Sequence, residues 1–258
     1  MAEKETKNKP KDLIEAVPEE VENLVLDVPE IEKPVEKEKY ESKKDTLSSW
    51  IPKTKLGISV KEGKEKDIDK ILDKGKKILE PEIVDYLLSV ESNLLLIGQA
   101  KGKFGGGKRR AWRQTQKKTK EGNILTFSTM VVVGDKNSHV GLGYGRAKET
   151  LPAREKALRH AKLSLTKIQR GFEDPADTAK SDPHTVPFKV EGKCGSVRIT
   201  LLPAPRGTGL AVADECKKIL KLAGIKDVYS RATGQTRTTF NLARACMDAL
   251  SKTNKMIR

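Results

Sequence analysis

The sequence predicts an α+β protein made of two successive small domains. Three observations carry that reading. A run rich in β-branched residues at 124–133 and a glycine-rich run at 140–145 precede a helix-start signal at Thr150 and Pro152. A polar stretch with two prolines, GFEDPADTAKSDP at 171–183, then breaks the apolar pattern. Beyond it, strand and helix signals begin again and run to the C-terminus. A chain of 258 residues has room for one large or two small domains.

Residues 1–45 mix Lys, Glu, Pro and Val without apolar periodicity, so they are expected to be a disordered tail. Residues 46–91 are expected to be a helical extension, whose ordered part begins at Trp50, Ile51 and Pro52. Ile68, Ile71, Leu72, Ile78 and Leu79 fall near helical spacing, with Gly75 as a weak point. Pro81 restarts a helix whose apolar stripe is Ile83, Tyr86, Leu87 and Val90.

The first domain is expected over 92–170. It has strands at 93–100, 124–133 and 140–145, and a turn at Gly134, Asp135, Lys136, Asn137 and Ser138. A helix from Thr150 to about residue 165 buries Ala157, Leu158, Ala161 and Leu165. Residues 171–183 form the linker. The second domain, 184–258, carries paired strands at 187–191 and 196–202 and a helix at 212–223 stopped by Gly224. A short strand at 227–231 and a helix at 239–251 complete it.

The charge is divided along the chain. The net charge is +15, yet residues 1–100 hold 18 basic against 23 acidic residues, while 101–258 hold 33 against 13. A surplus of +20 in the second part points to a polyanionic partner, because each cation set against a phosphate releases condensed counterions. A basic membrane-surface protein is the competing class, but no basic amphipathic helix with an aromatic face is present, and no apolar run is long enough to span a bilayer. No membrane partner is expected. Cys194, Cys216 and Cys246 lack CxxC spacing and read as buried thiols in a reducing cytoplasm.

The segment KGKFGGGKRRAWRQTQKKTK at 101–120 is the most informative one. It holds nine cations and no acid. Gly105, Gly106 and Gly107 let a backbone pass close to a sugar-phosphate chain, and Lys101, Lys103, Lys108, Arg109, Arg110 and Arg113 surround them. Phe104 and Trp112 are placed to stack on bases or to cover the core. The bland alternative is a solvated hairpin tip. The same segment imitates a P-loop, but Arg109 stands where the Mg²⁺-binding Ser or Thr belongs.

Gly141, Gly143 and Gly145 lack dinucleotide-loop spacing. They mark a close approach, expected to be RNA backbone met by Arg146 and Lys148. Two later loops, around Arg206 and Arg237, each place an arginine beside an expected helix start, where free N–H groups attract phosphate. Capping chemistry alone is the alternative there. His139, His160 and His184 are not paired by spacing with a nucleophile or a metal ligand, so no catalytic residue, metal or cofactor is expected.

The phrases EPEIVDYLL, VVVGDKNSHVGLGYGRAKE, PFKVEGKCGSVRITLLPAPRGTGL, LAGIKDVYSRATGQTRTTFN and ARACMDAL, in this order, resemble the small-subunit ribosomal protein S-five family in its archaeal and eukaryotic form. The resemblance covers about residues 50–253 and is specific to that family. It implies a first domain like the double-stranded-RNA-binding fold and a second with a left-handed βαβ unit. It implies a structural, non-enzymatic role in the cytoplasmic ribosome: binding small-subunit rRNA near the mRNA entry channel and supporting assembly and accuracy. It also implies that proteins of the S-four and S-eight families are neighbours, and that the glycine-basic loop bears on decoding. Two features depart from many relatives: the loop at 101–123 is longer, and the linker carries no cysteine, so no metal is implied. The rivals are a free-standing RNA chaperone and, more distantly, a nucleotide-using enzyme.

Overall fold

Three short helices precede the first sheet in the computed structural model: α1 (Lys55–Lys61), α2 (Ile68–Asp73) and α3 (Pro81–Leu87). The structure describes residues 50–100, 109–173 and 182–255, and all of them belong to one unit spanning 49–258. The tail expected at 1–45 lies outside the described residues. Thr54 caps α1 by accepting the Gly57 N–H at 3.0 Å. The helix expected across 68–79 ends at Asp73, because Gly75 adopts a φ of +68° and turns the chain away.

Trp50, Val60, Ile68, Ile71, Ile78, Ile83 and Val84 form a small core with Leu165. Val84 takes the buried place expected for Tyr86, which is 52% exposed. Glu80 ties the start of this segment to its end. Its carboxylate accepts the Trp50 Nε1–H at 3.0 Å and the N–H groups of Lys53 and Thr54 at 2.9 and 2.6 Å. Burial would push the Glu80 carboxyl up, but these donors hold it below its ordinary value.

The first sheet has five antiparallel strands: β1 (Glu91–Leu94), β2 (Trp112–Thr119), β3 (Gly122–Gly134), β4 (His139–Ala147) and β5 (Leu165–Lys167). The order is β1-β3-β4-β5, with β2 also on β3. Two differences from the sequence expectation have physical causes. The strand expected at 93–100 stops at Leu94, because the Leu96 N–H goes to the Glu215 carboxylate at 2.8 Å instead of to a ladder. In addition, residues 112–119 of the expected loop are strand β2. Its side chains are mostly exposed and show no apolar alternation, so pairing with β3, from Trp112 opposite Thr129 to Thr119 opposite Gly122, is what holds it.

Helix α4 (Thr150–Leu163) covers one face of this sheet, with Ala157 and Ala161 against Val131 and Val133. The strand glycines explain how close it comes. A Cβ at Gly141, Gly143 or Gly145 would lie 2.0–2.1 Å from the carbonyl oxygens of Ala161, Ala157 and Ala153. The close approach read from these glycines is therefore filled by a helix backbone, and the expectation that RNA fills it is wrong.

The second sheet contains β6 (Val190–Cys194), β7 (Val197–Leu202), β8 (Leu210–Ala211) and β9 (Val228–Thr233), in the order β6-β7-β9-β8. Only β8 and β9 run parallel, joined by α5 (Asp214–Leu222). Helix α6 (Thr239–Lys255) ends the described chain. Gly192, expected in a turn, lies within β6. A Cβ there would meet the Ala245 carbonyl oxygen of α6 at 2.0 Å, and Gly195, at φ +61°, makes the turn instead. One apolar core joins the two sheets: Met130, Val132 and Val140 from the first, Ile199 and Leu201 from the second, and Ile219, Leu220, Cys246 and Leu250 from α5 and α6.

Candidate nucleic-acid interface

The β2–β3–β4 register places Arg113, Ser128 and Arg146 in one row across the sheet. Residues directly opposite on antiparallel strands share a face, so the two arginines flank a buried serine about 10 Å apart. Ser128 Oγ accepts the Tyr144 hydroxyl at 2.9 Å. Tyr144 in turn meets Phe240 edge-on, with ring centroids 5.2 Å apart, and the Arg244 guanidinium lies 4.2 Å over the Phe240 ring. This aromatic pair joins the first sheet to the start of α6.

The base of the glycine loop closes onto the same place. Gly98 N–H donates to Arg110 O at 2.9 Å, and Arg110 N–H returns to Gln99 O at 3.3 Å. Arg109 then donates from its guanidinium to the Arg237 carbonyl at 2.8 Å, across 128 residues of sequence. Arg109, Arg113 and Arg237 line a cavity of about 520 Å³ with Ser128, Tyr144 and Phe240, and no carboxylate among the described residues lines it. Cations gathered without acids in a concave place attract a polyanion, and the surrounding low-dielectric walls concentrate the field.

Of the residues expected from sequence, the structure thus brings together Arg109, Arg113, Arg146 and Arg237. Arg110 is exposed at the loop base, and Lys148 is exposed just beyond β4. Lys101, Lys103, Gly105, Gly106, Gly107 and Lys108 lie outside the described residues. Arg206 is elsewhere. Its guanidinium donates to the Asp182 carbonyl at 3.3 Å, and strand β8 separates it from α5. The first turn of α5 is filled by Asp214 and Glu215, so an anion is not favoured there, contrary to the helix-start expectation for Arg206.

Sequence reasoning missed Ser128, Tyr144, Phe240 and Arg244, because only the register and the docking of α6 make them neighbours. It also left His139 without a partner. The structure sets this buried ring between two carboxylates, with Nδ1 2.7 Å from Asp135 and Nε2 2.8 Å from Asp69. Burial would lower the His139 pKa, but both hydrogen bonds and both negative charges outweigh it and raise the pKa. The ring fastens α2 to the β3–β4 turn, and both of its nitrogens are engaged by carboxylates. No group of His, Cys, Asp and Glu able to hold a metal is found among the described residues, and no described helix is long and apolar enough to cross a membrane.

Residues 111–169 match the N-terminal domain of ribosomal protein S5, and residues 192–257 match its C-terminal domain. The small ribosomal subunit protein uS5 of Nanoarchaeum equitans is 48% identical over 207 residues, covering 80% of this chain and 88% of that protein. The chain belongs to the ribosomal protein S5 family. The uS5 proteins of Methanococcus maripaludis and Hyperthermus butylicus are 44% and 43% identical, covering 86% and 81% of this chain and 90% and 91% of theirs. These relatives are archaeal, in keeping with the archaeal-type resemblance. The S5 family is one of structural ribosomal proteins, not of enzymes, and its members work in the cytoplasmic ribosome. Both matched regions contribute to the arginine cavity: Arg113, Ser128 and Tyr144 come from the first, Arg237 and Phe240 from the second.

Proposed function

We propose that this S5-family chain is a structural constituent of the small ribosomal subunit that grips small-subunit rRNA by its phosphates near the mRNA entry channel. The observation that carries the reading is the gathering of Arg109, Arg113 and Arg237 around one cavity with no acid among its described lining, with Arg146 in the same sheet row as Arg113. Four arginines there supply charge-assisted donors to phosphate oxygens, and the glycines of the loop let the RNA backbone come near. Such contacts position RNA without reading its sequence.

The finer expectations stand on the resemblance. Residues 92–170 act as a double-stranded-RNA-binding-like domain, and 184–258 as a domain with a left-handed βαβ unit, with 171–183 between them and 46–91 as a helical extension. Proteins of the S-four and S-eight families are its neighbours and mRNA passes close by. The glycine-basic loop supports assembly and accuracy.

Sedimentation and a salt titration test this reading. The chain should migrate with small subunits and polysomes. Its affinity for a small-subunit rRNA fragment should fall with a slope of log K against log salt of about −3 or steeper, since the four arginines alone account for about −3. A free chain in the lysate would favour an RNA chaperone, and a flat slope would remove phosphate contact as the basis of binding.

A further inference from the structure

The β3–β4 turn and the second sheet meet in a cleft of about 920 Å³ that none of the sequence motifs announces. Lys136, Arg170, Lys217, Lys221 and Lys226 line it, with Asp182 as the single acid among the described residues. These five cations come from four places in the chain: the β3–β4 turn, the segment after β5, helix α5 and the turn after it. One helix with a solvated basic face would not produce this arrangement, since only the tertiary fold collects the charges. Bringing like charges together costs free energy in the unbound protein, and an anion in the cleft offsets that cost.

The cleft is preformed. The Lys136 N–H donates to the Leu222 carbonyl at the end of α5 at 2.9 Å. Gly224, at φ +81°, passes so near that a Cβ would lie 2.1 Å from the Lys136 carbonyl oxygen. Arg170 Nε donates to Ser138 Oγ at 3.1 Å, which holds its guanidinium along the wall. Lys136 is paired with Glu91, and Lys217 with Asp214 at 3.3 Å, both on exposed surface where such pairs contribute little. Lys221 and Lys226 have no carboxylate partner among the described residues.

We propose that this cleft seats a second stretch of RNA sugar-phosphate backbone, apart from the arginine cavity; the proposal rests on the RNA-binding reading above. Four of the five cations are lysines, which serve phosphates as point charges, and they belong to the same basic surplus of residues 101–258 as the arginine cavity, so the polyanion assigned to that cavity is the occupant that fits here. Along β3, Ser128 of the arginine cavity and Gly134 at the start of the turn are six residues apart, about 20 Å in a strand. One chain therefore holds RNA at two separated points.

The test compares the full chain with Lys217→Ala/Lys221→Ala/Lys226→Ala and with the matching triple Lys→Arg variant. Each is titrated with a small-subunit rRNA fragment over a range of salt, followed by footprinting. The Ala variant should show a slope of log K against log salt shallower by about 2, and should lose protection of an RNA segment that Arg113→Ala still protects. The Arg variant should restore the slope, which excludes a folding defect as the cause. Tight binding by wild type with an unchanged slope in the Ala variant overturns the cleft and leaves the arginine cavity standing. Loss of contact with a neighbouring acidic protein, without loss of RNA protection, overturns it in favour of a protein partner. Failure of wild type to bind the rRNA overturns this proposal and the functional reading together.

Discussion

Gly141, Gly143 and Gly145 set the distance between β4 and α4. Two residues of strand advance about 6.7 Å and four residues of helix about 6 Å, so the glycines stay in step with Ala161, Ala157 and Ala153. A methyl at Gly143 would lie 2.0 Å from the Ala157 carbonyl oxygen and 2.2 Å from the Ala161 nitrogen, both backbone atoms. Gly143→Ala should therefore cost about 3 kcal/mol or more, near the upper end of overpacking effects, read as a lower denaturant midpoint. An unchanged midpoint would show that α4 does not sit where described.

At the same scale, His139 gives stability a pH dependence. Asp135 and Asp69 face the ring, Lys167 bridges Asp69 and Asp73 beside it, and Arg170 lines the same cavity. The His139 pKa is raised, so its contribution is complete below about 6.5 and is lost as pH rises through the folded value. Burial would raise the pKa of Asp135 and Asp69, but hydrogen bonds, above all that to His139, lower both, so their contribution is lost as pH falls below the ordinary carboxylate range. Between pH 6 and 9 the wild-type unfolding midpoint should fall, and His139→Gln should flatten that change. A midpoint that rises over this interval would contradict the pairing.

At the scale of elements, the β2–β3 hairpin carries Arg113, Lys117 and Lys118 on a ladder with few buried side chains. Lys117→Ala/Lys118→Ala should leave the unfolding midpoint within about 0.5 kcal/mol of wild type, because surface changes away from buried groups have small effects. The same change should weaken rRNA binding, making the salt slope shallower by about 1–2. A folding defect would make this strand structural; unchanged binding would leave its lysines merely solvated.

This hairpin also shows what the sequence could and could not reveal. Where both faces are buried, with Val131 and Val133 on one and Met130 and Val132 on the other, the β-branched run made the strand legible. Helices α4, α5 and α6 were legible from their apolar spacing, within a few residues at their ends. WRQTQKKT has neither an apolar run nor an apolar period, because both faces are exposed along most of its length, so β2 read as loop. The cations of the candidate site were legible by type and density. Their grouping was not: Arg109 meets Arg237 across 128 residues through a hydrogen bond that no local pattern encodes. Arg206 shows the reverse error, since two residues of strand β8 and an acidic first turn separate it from the helix it was expected to start.

For the whole molecule, charge and fold divide the labour. The first 100 residues are net acidic, and the described part of them builds the small Trp50–Val84 core against Leu165. The remaining chain supplies the basic surplus and both cation-lined concavities. Removing residues 1–45 should therefore change affinity for small-subunit rRNA by less than about tenfold, measured on the same fragment under the same salt. A larger loss would place RNA contact in the tail.

The central claim is that rRNA is held at the cavity of Arg109, Arg113 and Arg237 and along the adjoining row to Arg146. The most direct measurement is a residue-level map of RNA–protein crosslinks in assembled small subunits. The account predicts crosslinks from the β2–β3 hairpin, the end of β4 and the loop before α6 to one continuous rRNA region. Crosslinks from these segments that fall only on other proteins, or on no partner at all, would contradict it.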